Sequence, residues 1–291
     1  FLIIFIFIFF AIEKKSRSRS RFNIPSRGYR TVEKVKLYGK IKWLAFSLLL
    51  ILFFFSFIFP VSQMLFWILK FPNNFNFLNL SDLTSNTLKL VLFTTIILIL
   101  LSFVTNYGMR ISENKFLNLV TSFSVSGYAI PGIILAVTLL GFISFVSDYF
   151  NNDNIKILFI GTVFGLIIAY CVRFYSLAIN GIKTGYDKLN KSLDDVSYLM
   201  GNSKIGTFIH VHFPFLKQNL ILIAMLVSID ILKELPLTLI LRPYNFETFA
   251  TQAYVFASQD MLEFTAGPSL FLILFASIII LISRKNILKG F

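Results

Sequence analysis

Six long apolar segments constrain the fold of this chain more than any other feature of its sequence. Each is about as long as a helix must be to cross a lipid bilayer, roughly 20 residues. The sequence therefore predicts an all-α membrane protein. The six predicted spans are residues 43–67, 87–105, 118–146, 156–175, 219–241 and 266–284.

The composition agrees with this prediction. The chain is 56% hydrophobic and only 14% charged, whereas a soluble domain carries about 25% charged residues. The third segment contains Pro131 and Gly132, and it is long enough to be tilted or broken at that point.

The N-terminal region has an apolar stretch, residues 1–12, followed by a basic stretch, residues 13–42. A signal peptide carries its positive charge before the apolar part, so this order is reversed. We interpret 1–12 as the end of a preceding transmembrane helix, which implies a longer membrane protein. We interpret 13–42 as a cytoplasmic linker near anionic lipid headgroups. Binding of nucleic acid is disfavoured because the motifs of such modules are absent. The six-span domain then comprises 43–291.

Positive charge is concentrated on one side of the predicted membrane. Of the 27 basic residues, 22 fall in four segments: eleven in 13–42, two in the second loop, six between Arg173 and Lys217, and three in the C-terminal tail. Most of the charged residues in the segments on the other side are acidic. The positive-inside rule therefore predicts that both ends of this chain are cytoplasmic.

The loop between the fourth and fifth predicted spans is about forty residues long, which is typical of functional or structured connections. Its first half predicts an amphipathic helix, because apolar residues recur at helical spacing. These residues are Leu189, Leu193, Val196, Leu199 and Met200. Gly201 and Asn202 are typical of a helix end.

A second short helix is predicted to begin at Ser203, a good N-cap residue, and to run to about His212. Pro214 would then open the next span. His210 and His212 are two positions apart and so do not share a helical face. We therefore assign no metal site to them.

This loop resembles the EAA loop of binding-protein-dependent ABC importers, whose usual pattern is Glu-Ala-Ala-x3-Gly-x9-Ile-x-Leu-Pro. The matching positions here are Asp195, Val196, Ser197, Gly201, Val211, Phe213 and Pro214. The resemblance implies that the loop is the coupling helix, which seats on a cytoplasmic ATP-binding subunit that acts as a dimer.

The fifth predicted span contains the charged residues Asp230, Lys233 and Glu234, followed by Pro236. Their spacing predicts that the three charged side chains share one helical flank, and Pro236 predicts a kink. Charges at membrane depth line a watery path or pair with one another. Two interpretations stay open: a lining or gate of a translocation path, or an ion pair that braces the bundle.

The same stretch, Asp-x-x-Lys-Glu-Leu-Pro-x-Thr followed by Leu-Arg-Pro, resembles permeases of ferric-iron importers. Residues 126–132, which include Tyr128 and Pro131, are similar to the same group, as are residues 86–89. The resemblance implies a six-helix ABC importer permease bundle of the type I kind, in the bacterial inner membrane. It also implies that this chain is the C-terminal half of a twelve-span fused permease, with the second half fused upstream or present as another subunit. Tyr128 and Pro131 are further path candidates.

The function implied is that of a passive pathway for ferric iron delivered by a periplasmic binding protein, which would dock on residues 243–265. The chain has no Gly-x4-Gly-Lys-Ser/Thr motif, so we expect no enzyme activity and no cofactor, with ATP hydrolysis in a separate subunit. Alternatives are another solute (thiamine, polyamine, phosphonate or sulfate) or a secondary transporter that uses Asp230 and Glu234. A membrane-embedded enzyme is disfavoured because no nucleophile–base pair is evident.

Overall fold

The computed structural model describes residues 37–72, 77–112 and 115–288, and within these ranges it contains helices but no β-strand. The predicted helix end at 1–12 and nearly all of the basic stretch lie outside the described residues. The chain forms two compact units, residues 1–54 and 55–291. The described part of the first unit is essentially helix α1, Gly39–Phe53, none of whose residues is buried.

The second unit is an all-α bundle. A π-helical turn at Phe54–Ile58 connects α1 to the next helix. The helices of the second unit are α2 Phe59–Lys70, α3 Phe77–Ile111, α4 Lys115–Ser124, α5 Gly132–Tyr149, α6 Asn154–Phe159, α7 Val163–Tyr186, α8 Ser192–Leu199, α9 Lys204–Thr207, α10 Phe213–Leu232, α11 Pro236–Leu241, α12 Phe249–Ser258 and α13 Leu262–Leu288.

Six helical segments in the described residues are long and apolar enough to cross a membrane, which confirms the predicted number. They are Gly39–Lys70, Leu80–Ile111, Gly132–Tyr149, Val163–Tyr186, Lys204–Leu232 and Leu262–Ser283. The prediction of an all-α membrane protein is therefore correct, although several boundaries differ from those predicted.

The third predicted span is broken, as Pro131 and Gly132 suggested. Helix α4 ends at Ser124 and is followed by a 3-10 turn at Val125–Ala129. Pro131 has an extended ψ of 136° and is the N-cap of α5. Because a proline lacks a backbone N–H, it fits a helix start better than a helix interior.

The fourth span lies further along the chain than predicted. Residues 154–159 form the separate short helix α6, and the chain then turns at Gly161, which has a φ of +65°. Thr162 caps the start of α7, because its hydroxyl accepts a hydrogen bond from the N–H of Gly165. Arg173, which we counted with the cytoplasmic basic residues at the end of the predicted span, therefore lies in the interior of a membrane span.

The coupling loop is correspondingly shorter than forty residues. Helix α7 continues to Tyr186, and Lys204–Leu232 forms one helical run through a π-helical turn at Phe208–His212. The predicted second short helix is thus the beginning of the fifth span. Pro214 lies in the first turn of α10 and does not open a separate span.

Helix α7 lies at the centre of the bundle, where it packs against α3, α10 and the Val125–Ala129 turn. The facing side of α3 is a stripe in which every fourth residue is buried. The stripe consists of Leu90, Thr94, Leu98, Ser102 and Asn106. The side-chain N–H of Asn106 donates to the carbonyl of Ile179 on α7 at 3.1 Å. Small and polar residues of this kind are typical of helix contacts within membranes.

Two glycines of α7 allow α10 to pack closely against it. A side chain at Gly181 would collide with Ile223, and one at Gly185 would collide with Asn219. Asn219 instead donates a hydrogen bond to the carbonyl of Gly181 at 3.2 Å. The close backbone approach that two glycines four residues apart permit therefore fixes this helix pair.

Helix α3 connects the two ends of the bundle. At a rise of 1.5 Å per residue, the distance along its axis from Asp82 to Arg110 is roughly 42 Å. Asp82 lies beside the segment before α12, and Arg110 lies beside α8. These two regions are called below the α12 end and the α8 end of the bundle.

Candidate coupling and translocation sites

Helix α8 is short and has a defined start and stop. Asp194 and Asp195 lie in its first turn, where carboxylates are favoured by the helix dipole. Gly201 ends the helix with a φ of +84°, a conformation that suits glycine. The N–H of Asn202 then donates to the carbonyl of Ser197 at 3.1 Å, which completes the expected helix end.

The chain leaves α8 through hydrogen bonds that fix its direction. Ser203 caps α9, as predicted, by accepting from the N–H of Gly206 at 3.1 Å. The hydroxyls of Ser197 and Thr207 lie 2.9 Å apart and are buried. Asn202 donates its side-chain N–H to the Ser197 hydroxyl at 3.2 Å. The small motif residue Ser197 thus holds α8 against the start of the fifth span.

The other motif residues lie at different depths. Asp195 is exposed, as are Pro214, Val196 and Phe213, whereas Val211 is half-buried. Sequence reasoning did not find the strongest contacts of α8, which involve Asp194, Arg110 and His212. Nε of Arg110 lies 2.7 Å from Asp194, and Nε2 of His212 lies 2.8 Å from the same carboxylate.

The far end of α8 presents an apolar surface, here called the α8 face, that consists of Val196, Leu199, Met200 and Ile205. These side chains are strongly exposed, Leu199 to 88% and Met200 to 79%. By contrast, the other end of the same segment is anchored, since Leu189 is buried at 4% exposure. An anchored segment with a free apolar face is typical of a docking site for a partner.

The predicted charged cluster of the fifth span divides into two pairs. Helix α10 ends at Leu232, and a new helix starts at Pro236, so the break is more complete than the predicted kink. Residues 233–235 are therefore not helical, and the three charged side chains do not share one flank.

The first pair joins Asp230 to Lys233. Nζ of Lys233 lies 2.7 Å from Oδ1 of Asp230, and the Lys233 side chain is 62% exposed while that of Asp230 is 13% exposed. The hydroxyl of Tyr128, from the 3-10 turn, donates to the other oxygen of Asp230 at 3.3 Å. Predicted path residues from two spans are thus brought together by one carboxylate, with an ammonium group left accessible.

The second pair, Arg173 with Glu234, was missed by sequence reasoning. Nε of Arg173 lies 3.2 Å from Oε2 of Glu234, with exposures of 17% and 7%. The other carboxylate oxygen of Glu234 accepts from the N–H of Leu237 at 3.3 Å, at the start of α11. Gly132 leaves the space for this pair, because a Cβ atom there would lie 2.6 Å from Nη1 of Arg173.

These contacts make the Arg173–Glu234 pair a junction of α5, α7 and α11. Arg173 also donates to the carbonyl of Ile130 at 3.4 Å, just before the N-cap Pro131. Both broken spans therefore meet at one buried ion pair. Buried charges at membrane depth are stable only when paired in this way.

A polar cavity of about 760 Å³ lies at the α12 end. Its lining includes Asp82, Asn86, Arg242, Tyr244 and Glu247. Arg242 and Glu247 form an ion pair, and Asn86 donates to the carbonyl of Glu247 at 3.2 Å. The cavity is therefore lined partly by the predicted docking region, 243–265, and it combines charges of both signs.

No family model matches the chain, but curated proteins and solved structures are similar to it. It is 24% identical over 162 residues to the Fe(3+)-transport system permease protein FbpB 2 of Haemophilus influenzae, a match that covers 56% of this chain and 30% of that relative. It is 25% identical over 212 residues to the probable transport system permease protein NifC of Clostridium pasteurianum, covering 69% and 73%. The chain thus matches less than a third of the length of the first relative.

Two solved structures of a bacterial alginate ABC transporter share the fold. One, in complex with an alginate-bound periplasmic protein, matches with a TM-score of 0.63 at 16% identity, over 84% of this chain and 93% of that chain. The other matches with a TM-score of 0.60 at 15% identity, over 84% and 95%.

The fold is that of a multi-pass membrane protein, and it is shared with a bacterial ABC transporter that imports alginate. Both curated relatives are named as transport permeases, one of them for Fe(3+). These similarities agree with the resemblance in the EAA-like loop.

Proposed function

We propose that this chain is the permease subunit of an ATP-driven importer and that it translocates ferric iron from a periplasmic binding protein. The observation that carries the proposal is the α8 face. It is apolar, and it lies on a segment that is fixed to the bundle on both sides.

Exposed apolar side chains favour a protein partner at this surface. Leu199 and Met200 lie at the free end of α8, outside the long apolar runs of the spans. Burying such side chains stabilises a complex by about 1.5–3 kcal/mol each. A groove on an ATP-binding subunit, present as a dimer, is the partner that the EAA-like motif implies.

Co-purification tests this partner. The permease is expressed in its native organism and purified in detergent, and the purified complex is tested for an ATPase subunit. Leu199→Asp and Met200→Asp should abolish its retention, because each places a charge in the apolar contact. Asn190→Asp is the matched control, since it adds the same charge to the exposed loop before α8. Equal retention by all variants would contradict the proposal.

The path for the solute is proposed to run beside Tyr128 and the Asp230–Lys233 pair. Both broken helices meet there, and broken helices within membranes are tolerated where they line a cavity or pack against protein. A second permease half, fused upstream or separate, would supply the opposite wall of the path.

Ferric iron is proposed as the solute because the Haemophilus relative is named as an Fe(3+)-transport permease. Thiamine, polyamines, phosphonates and sulfate are the alternatives within the same architecture. Uptake of labelled ferric iron into cells, compared with uptake of these solutes, distinguishes them. Iron uptake that is lost on deletion of the gene and restored by this protein supports the proposal. If only the uptake of another solute depends on the protein, that solute takes the place of ferric iron in the proposal.

A periplasmic binding protein is proposed to dock at the α12 end, on residues 243–265. The cavity there offers an exposed ring at Tyr244 and charged groups at Arg242, Glu247 and Asp82. Charges of both signs are suited to orienting a polar protein partner. Substituting Tyr244 by Asp should weaken docking without affecting retention of the ATPase.

The energy source separates this proposal from a secondary transporter. In the alternative, Asp230 and Glu234 bind the driving ion. Each carboxylate already has a cationic partner, Lys233 or Arg173, which favours a structural or path-lining role over ion binding. Uptake that persists without ATP and collapses with the proton gradient would contradict the importer and support the secondary transporter.

A further inference from the structure

Asp194 lies where three parts of the bundle meet. It belongs to the first turn of α8, and its two carboxylate oxygens have partners on two different spans. Oδ2 lies 2.7 Å from Nε of Arg110 on α3. Oδ1 lies 2.8 Å from Nε2 of His212, in the π-helical turn before α10. The His212 side chain is fully buried, and those of Arg110 and Asp194 are only 10% and 16% exposed.

The chemistry of these groups makes Asp194 the common acceptor. An ionised carboxylate only accepts hydrogen bonds, so Nε2 of His212 must donate to it. Nδ1 of His212 is buried without a hydrogen-bond partner, and the neutral tautomer with its hydrogen on Nε2 therefore fits the geometry. Hydrogen bonds to a charged acceptor are stronger than neutral ones.

Arg110 extends the same connection to the chain that enters α8. Its remaining N–H groups donate to the carbonyls of Leu189 and Asn190, each at 3.0 Å. Its guanidinium also lies over the ring of Tyr186, 5.9 Å from the centroid. One side chain of α3 thus holds both the entry segment and the first turn of α8.

The chain that leaves α8, which begins the fifth span, is attached to α3. The hydroxyl of Tyr107, one turn before Arg110 on α3, donates to the carbonyl of Lys204. The ring of Tyr107 also meets the His212 ring edge to face, with centroids 5.0 Å apart. The α8 segment is therefore tied at each side, and Asp194 is a residue of α8 that contacts both the second and the fifth span.

We propose that Asp194 is a positioning residue that transmits movement of α8 to the second and fifth spans through Arg110 and His212. This inference rests on the proposed function, because it requires an ATPase that moves α8. Without this carboxylate, α8 remains linked to the spans mainly through Ser197, through the contact of Tyr198 with Tyr107 and through the connecting segments. A push at Leu199 would then move the spans less than it moves α8.

Variants of His212 separate transmission from packing. His212→Gln keeps a side-chain N–H donor close to the position of Nε2, whereas His212→Leu fills the pocket with an apolar group and removes the donor. If His212 only packs, Leu should serve at least as well as Gln. If it connects α10 to Asp194, Gln should retain function and Leu should lose it.

The test measures solute transported per ATP hydrolysed, in the full complex reconstituted in liposomes. Loss of a hydrogen bond to a charged group corresponds to a factor of about 10–100 in an equilibrium. We expect His212→Leu and Asp194→Asn to lower the ratio about tenfold while the ATPase still co-purifies. His212→Gln should stay within about twofold of the wild type. Asp187→Asn, an exposed carboxylate just before α8, is the matched control and should not change the ratio.

A second measurement uses the permease in detergent and needs no ATPase. Amide hydrogen exchange of residues 192–199 should be about tenfold faster in Asp194→Asn and His212→Leu than in the wild type and in His212→Gln. Equal exchange in all variants, or a normal transport ratio in Asp194→Asn, would overturn the inference. If the wild-type complex contains no ATPase, the proposed function fails first and the inference fails with it.

Discussion

Replacing Gly132 by alanine should destabilise the bundle, although the same change usually strengthens a helix. Gly132 is the first residue of α5, and it is buried against the Arg173–Glu234 pair. A Cβ atom there would lie 2.6 Å from Nη1 of Arg173 and 3.1 Å from Oε1 of Glu234. The methyl group can be accommodated only if this ion pair moves.

The magnitude follows from two opposing effects. Alanine in place of glycine favours a helix by up to about 1 kcal/mol. Overpacking of a filled site costs about 1–3 kcal/mol, and a buried charge that loses its partner costs about 3–5 kcal/mol. Since the pair can shift without separating fully, we expect a net loss of about 1–3 kcal/mol in the free energy of unfolding.

Gly141 provides a matched control within the same helix. It is exposed, and a Cβ atom there would meet nothing within 4 Å. Gly141→Ala should therefore be neutral or stabilise the protein by up to about 1 kcal/mol. Each variant adds one methyl group to the wild type, so the difference between their unfolding free energies isolates the contact with the ion pair.

The assay is equilibrium unfolding in mixed detergent micelles, followed by the helical circular dichroism signal. Gly132→Ala should unfold at a lower denaturing detergent fraction than the wild type, and Gly141→Ala at the same or a higher one. If Gly132→Ala is as stable as Gly141→Ala, then α5 does not pack against the Arg173–Glu234 pair as described. That result would refute the assignment of this pair as the junction of α5, α7 and α11.

Three further predictions concern the charged groups and the end of α8. Arg173→Met alone should cost about 3–5 kcal/mol of unfolding free energy, while the double variant with Glu234→Leu should recover most of that loss in the same micelle assay; strictly additive losses would show that the two side chains do not interact. Gly201→Pro, at a φ of +84°, should leave the unfolding transition unchanged but lower transport per ATP, because proline cannot adopt that angle; normal coupling in this variant would contradict the role of α8. Asp230→Leu should reduce uptake more than stability, because the Lys233 side chain is 62% exposed and is not left buried without a partner; a fully active Asp230→Leu protein would exclude this pair from the path.

Much of the fold follows from local features of the sequence. Apolar segments of sufficient length predict the number of spans, and Pro131 predicts the break before α5. Gly201 and Ser203 predict the end of α8 and the start of α9, because the left-handed turn and the N-cap each depend on one residue type. These signals lie within a few positions of the structure they specify.

The boundaries of the fourth span show the limit of hydropathy. Residues 157–160 are apolar, so they extend the predicted span, although Gly161 and Thr162 separate them from α7. A glycine followed by a good N-cap residue was a usable signal for this boundary. Its omission moved the predicted span towards the N-terminus, so that Arg173 was placed at the cytoplasmic end of the span and not in its interior.

The candidate sites depend on contacts that are distant in the sequence. Glu234 pairs with Arg173, and Asp194 pairs with Arg110. Helical spacing in one segment indicates which residues share a face, but it does not specify the partner on another helix. It also assumes an unbroken helix, which is why the grouping of Asp230 with Glu234 was wrong.

The length of α3 has a consequence for how this protein tolerates change. A single uninterrupted helix carries Asn86 beside the cavity and Arg110 beside α8. Each residue of a helix turns the chain by about 100°, so one inserted or deleted residue between them would rotate one site away from its partners while the other stayed in place. The contacts at the two ends of the bundle therefore depend on the same number of residues between Asn86 and Arg110. A change in that number would require new contacts at one of the two ends.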